Sequence, residues 1–189
     1  HHPMVSGVSE CLSDGSYKVT WTVANSESTA GRYMLIRAFS VTSNPANQTG
    51  TTTGLVANGS YTGLVTTSQP ATGTIVAPSG NVGAITTTIP AGTASVTLNI
   101  TGYWHYSTGN GTFKEVTQTA EATVDLSNVC NGSLKIKKSV VGQTAPVDAT
   151  YTVTYDNGKG TSGQVLIKGG ETKTVTGLPY GSYTLAELR

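Results

Sequence analysis

Tyr17-Lys18-Val19-Thr20-Trp21-Thr22-Val23 alternates without a break: Tyr17, Val19, Trp21 and Val23 fall on one side of an extended chain, and Lys18, Thr20 and Thr22 on the other. A period of two is that of a strand with one face in a core and the other in water. Outward from it, further strands are predicted over 33–41, 54–57, 61–65, 73–77, 83–89, 94–106 and 112–126. Turn chemistry separates them, at Asn44-Pro45, Asn58-Gly59, Pro78-Ser79-Gly80, Pro90-Ala91-Gly92 and Gly109-Asn110-Gly111. No apolar run recurs at helical spacing, and Thr, Val, Gly and Ser dominate over helix formers. The fold class is therefore all-β.

Short strands at this spacing, with no helix between them, read as an immunoglobulin-like β-sandwich over 5–130. Cys11 and Cys130, the only cysteines among 189 residues, bracket that region almost completely. First and last strands of a sandwich often lie close, so the pair suits a disulfide joining the two ends. The alternative is two buried thiols. Beyond Cys130-Asn131-Gly132 the lysine density rises, and 131–189 holds seven of the eleven Lys and Arg. That marks a second, smaller unit, and a β-unit of roughly 60 residues usually needs an added constraint.

Charged residues make up 11% of the chain and the formal net charge is +1. No global field exists to attract nucleic acid or an anionic membrane, and neither is expected as a partner. The sequence has no apolar run of the about 18 residues a membrane helix needs, so no membrane insertion is expected of it. Low charge with abundant hydroxyls suits an extracellular surface. His1-His2-Pro3-Met4 reads as the remnant of a purification tag and is set aside from site arguments. The chain stops at Glu187-Leu188-Arg189 within a strand pattern, so a longer protein is expected, with its C-terminal unit incomplete here.

The second unit opens with Gly132-Ser133-Leu134-Lys135-Ile136-Lys137-Lys138 and closes with Gly181-Ser182-Tyr183-Thr184-Leu185-Ala186-Glu187. Together with the turns Gly169-Gly170-Glu171 and Leu178-Pro179-Tyr180-Gly181, these strands resemble the B-type repeat of collagen-binding adhesins (Cna-B). They are equally similar to repeats of actinobacterial cell-wall proteins. Residues 14–25 resemble the amino-terminal β-domain of such wall-anchored proteins. The resemblance implies a surface protein of a Gram-positive bacterium, extracellular and attached to the cell wall, acting in adhesion or as a stalk. No cofactor is expected. Its ligand would be a host or surface protein or a glycan, and an open sheet edge at the C-terminal end would allow self-association.

Cna-B-like repeats form an isopeptide bond from a Lys amine, an Asn or Asp side chain and a neighbouring acid in a dry core. By position, the resemblance assigns Lys138 as nucleophile and Glu187 as acid. Alternation places Leu134, Ile136 and Lys138 on one face and Lys135 and Lys137 on the other. No third partner follows Glu187, and Asn131 and Asn157 sit beside glycine in turn-like sequence. The competing reading is a snorkelling lysine and a solvated glutamate. In the first region, Lys18 and Asn128 offer a weaker pair, since Lys18 faces away from the Tyr17, Val19 and Trp21 side.

Other chemistry is sparse. His105 is the only histidine outside the first two residues, so no Ser/His/Asp set or metal cluster can be assembled, and no enzyme activity on a soluble substrate is expected. Tyr103, Trp104, His105 and Tyr106 form an aromatic run that would stack on sugar rings or a partner if Tyr103 and His105 faced out; otherwise they are core. The rival functions are thus a carbohydrate-binding module and a pilus or filament subunit. Asn-X-Ser/Thr sequons at Asn47, Asn58, Asn99, Asn110 and Asn131 follow from a Thr-rich composition. Loops over 41–53, 68–73 and 106–112 are the display candidates.

Overall fold

A computed structural model describes residues 1–48, 50–127, 129–142 and 148–188. These form strands joined in antiparallel sheets, with no helix among the described residues. The chain divides into two compact units: His1–Leu12 with Ser16–Val129, and Ser13–Gly15 with the residues from Cys130 onward.

In the first unit, β1 (Pro3–Cys11), β2 (Tyr17–Asn25), β4 (Thr51–Thr53) and β6 (Asn81–Ile89) make a sheet in the order β1-β2-β6-β4. A second sheet runs β5-β3-β7-β8, from β3 (Met34–Asn44), β5 (Ile75–Val76), β7 (Ser95–Gly109) and β8 (Thr112–Asp125). The alternation of β2 is realised in space: Tyr17, Val19, Trp21 and Val23 are buried, as are Val96, Leu98, Ile100 and Trp104 of β7. Burying each such side chain contributes about 1.5–3 kcal/mol. Polar side chains of Trp21, Thr87, Asn25 and Trp104 are paired inside. The Trp21 indole N–H donates to the Thr87 hydroxyl at 2.9 Å, and Thr87 in turn bonds the Thr52 hydroxyl at 2.8 Å. Asn25 donates to the carbonyls of Arg32 and Val76 and accepts from the Trp104 indole at 3.1 Å and the Glu27 amide at 3.0 Å.

Three local expectations are corrected. The stretches 54–57 and 61–65 are not strands. Their apolar residues Leu55 and Val65 are buried nonetheless, because Val65 packs with Leu35 and Tyr103 on the outer face of the second sheet. Short apolar runs carry no information on which way they are buried. The Val65 amide donates to the His105 carbonyl and the Asn58 amide to that of Ile36, which fastens the segment without a ladder. Conversely, Pro3 and Met4, set aside at the sequence level, belong to β1, and the His1 ring stacks on Tyr106 at 5.2 Å.

The second unit holds β9 (Asn131–Lys137), β10 (Thr150–Asp156), β11 (Ser162–Lys168), β12 (Thr172–Pro179) and β13 (Thr184–Leu188). Its sheets run β11-β10-β13 and β12-β9. Ile136, Val153 and Ile167 form the buried centre, with Leu134, Tyr151 and Val165 packed around them. Gly163 has a specific reason: the Tyr155 ring lies where its Cβ would be. The core is small, as expected of so short a unit.

Candidate functional site

Lys138 directly follows β9, on the same face as Leu134 and Ile136, while Lys135 and Lys137 are exposed on the opposite face. Its main chain is clamped by the turn at 169–171: the Lys138 amide donates to the Glu171 carbonyl at 3.0 Å, and its carbonyl accepts from the Gly170 amide at 2.8 Å. The Glu171 carboxylate stiffens that turn by accepting from the Lys168 amide at 2.7 Å and pairing with Lys173 at 3.2 Å. Those contacts, the Lys168 amide foremost, hold the Glu171 carboxyl below the usual carboxylate range.

Glu187 lies on β13 directly opposite Val153 of β10, so it shares the face of a buried residue. The register thus aims both groups at the same side of the unit. Lys138 Nζ stands 2.6 Å from Glu187 Oε2 and 4.3 Å from the centre of the Tyr151 ring. The lysine side chain is 18% exposed and the glutamate 41%. Sequence reading named the two ends of this pair but missed Tyr151, whose ring supports the ammonium through its negative face. The alternation of Tyr151, Val153 and Tyr155 carried that signal.

Chemically, the arrangement is an ion pair over an aromatic ring. Attack by the amine on a carbonyl would need the proton moved to the acid and a carboxyl derivative within reach. Among the described residues, the only carboxylate or carboxamide bonded to Lys138 is Glu187 itself. Asn157 accepts from the amides of Lys159 and Thr161 in a turn, and Asn131 pairs with Pro179 on the ladder. Lys18 pairs with Glu10 at 3.5 Å, and Asn128 lies outside the described residues.

Cys11 and Cys130 are joined in a disulfide. The aromatic run is placed differently from a sugar platform. Trp104 and Tyr106 face the sandwich interior, and Tyr103 faces out but is covered by Val65 and Leu35. Of the two readings of this run, stacking surface or core, the burial of Tyr103, Trp104 and Tyr106 agrees with core. His105 is half-buried and its Nδ1 sits 2.9 Å from the Thr62 carbonyl. Arg37 lies over the Tyr103 ring at 3.7 Å and donates to the Tyr61 carbonyl at 2.6 Å. Burial, with the Glu115 carboxylate second, pushes the Tyr103 phenol up to about 12. No cluster of His, Cys, Asp and Glu suited to a metal ion exists among the described residues. Nor is there, among the described residues, a helix long and apolar enough to cross a membrane.

No family model matches the chain, and no curated protein matches it. Among solved structures it is similar to a bacterial adhesin from Mobiluncus mulieris that contains intramolecular disulfide, isopeptide and ester bond cross-links. In the P21 crystal form the identity is 16%, over 98% of this chain and 80% of that one, with a TM-score of 0.42. In the P1 form the identity is 14% over the same shares, with a TM-score of 0.44.

Proposed function

We propose that the chain is part of a non-enzymatic extracellular surface protein of a Gram-positive, actinobacterial cell, attached to the wall and serving adhesion or a stalk. The observation that carries this reading is the Cys11–Cys130 disulfide in an all-β chain. Such bonds persist outside the reducing cytosol. The Lys138–Glu187 pair supports it further, since a small β-unit that must bear load gains most from an internal constraint, and these are the two groups such a cross-link would use.

The test has two steps. Intact cells of the source strain are shaved with protease and the released peptides identified; recovery of the protein only after lysis sinks the surface assignment. A strain lacking the gene is then compared with its parent for attachment to immobilised host matrix proteins and glycans, and equal attachment removes the adhesive role.

A filament subunit is a second reading favoured by one observation. β13 is the edge of its sheet, and its core-side Leu185, opposite Tyr155, remains 45% exposed. An uncovered edge of this kind can accept a strand from a neighbour. Concentration-dependent oligomers that survive boiling in detergent would favour it, and a monomer at every concentration would oppose it. The buried Trp104 leaves the carbohydrate-module reading without its stacking surface.

A further inference from the structure

We propose that Asn110, at the tip of the β7–β8 hairpin, is the chain's site of spontaneous deamidation, a modification that converts one display loop from neutral to anionic with time. Four Asn-Gly pairs occur, at Asn58, Asn110, Asn131 and Asn157, and glycine leaves the following amide nitrogen unshielded in each. Sequence alone ranks them equally; the structure does not.

Asn58 donates its carboxamide to the Thr72 carbonyl at 3.0 Å and its own amide to the Ile36 carbonyl. Asn157 accepts two amides on its side-chain oxygen, from Lys159 at 2.8 Å and Thr161 at 3.0 Å. Asn131 lies in the β9–β12 ladder, and the Tyr180 ring covers the space a Cβ on Gly132 would take. Each of these three would have to break a bond or move a ring before its side-chain carbon could meet the next nitrogen. Asn110 and Gly111 are both exposed, open space surrounds Gly111, and no hydrogen bond to the Asn110 carboxamide is present among the described residues.

The reaction is hydrolytic. The Gly111 nitrogen bonds to Asn110 Cγ, the carboxamide nitrogen leaves as ammonia with the proton lost by that amide, and a five-membered imide results. Water then opens either carbonyl–nitrogen bond of the imide, leaving aspartate or isoaspartate at position 110. Nothing is oxidised or reduced. The product adds a negative charge within 106–112, and the isoaspartate form lengthens the main chain of the turn.

The whole oxidised chain is held in warm, mildly alkaline buffer, and aliquots are digested and mapped by mass spectrometry. The Asn110 peptide should gain the amide-to-acid mass shift several-fold sooner than the other three, with isoaspartate detectable by enzymatic methylation. In denaturing urea the four should convert at similar rates, showing that the lead is structural. Asn110→Gln should abolish the fast phase of ammonia release. Equal rates for all four in the folded chain, or conversion of another pair ahead of Asn110, would overturn the proposal.

Discussion

Lys138 and Glu187 meet because two separate alternations, in β9 and β13, both point inward where the strands run out. With a 2.6 Å contact but a glutamate 41% exposed, solvent screens much of the attraction. A double-mutant cycle of Lys138→Met and Glu187→Gln should return a coupling of at most about 1 kcal/mol by urea denaturation. Methionine keeps the packing on Tyr151, so the single variants should fold. A coupling of several kcal/mol would mean the pair is far drier than its exposure indicates. Tyr103 allows a sharper test. Its phenol titrates near 10.0 when free and at about 12 in the fold. The unfolded chain therefore loses this proton first, and stability falls as pH rises past 10, with the loss complete near 12. Tyr103→Phe should remove that part of the alkaline slope, so the gap between wild type and variant narrows with pH; parallel curves would contradict the shift.

At the scale of elements, β1 shows how a strand can depend on an absent side chain. A Cβ on Gly7 would lie 2.6 Å from the Trp21 ring and 2.8 Å from a Val124 methyl. Neither neighbour is a flexible chain end. Gly7→Ala should therefore destabilise the chain by about 1–3 kcal/mol through overpacking, read as a lower urea midpoint. A neutral result would mean that β1 is free to shift. Residues 54–74 obey different rules. Backbone bonds of Asn58 and Thr74 to Ile36 of β3 and of Val65 to His105 of β7 fasten them without a ladder, and Val65 fills a second apolar cluster there. That is why two predicted strands dissolve on folding while their apolar residues stay buried.

At the scale of the whole molecule, the Cys11–Cys130 bond closes a loop of more than a hundred residues. In the chain-entropy model this is worth roughly 4–5 kcal/mol. Reduction, or a Cys11→Ser/Cys130→Ser variant, should lower the denaturation midpoint markedly. An unchanged midpoint would mean that the unfolded chain is already restrained. The small core around Ile136, Val153 and Ile167 makes the second unit the part most in need of such a constraint.

What the sequence determined by itself follows from local period and turn chemistry. The face of β2, the all-β class and the inward side of Lys138 are readable because a strand sends alternate side chains to opposite faces whatever it pairs with. The Lys138–Glu187 pairing was named through a family resemblance, and its geometry came only from the fold. Tertiary structure alone decided that Tyr103, on the outward face of β7, is covered by Val65. It also decided that Leu55 and Val65 are buried outside any ladder, that Pro3 and Met4 continue a strand, and that one Asn-Gly pair of four is unrestrained. Each of those outcomes depends on what a distant segment places against the residue, and such contacts leave no periodic trace in the chain.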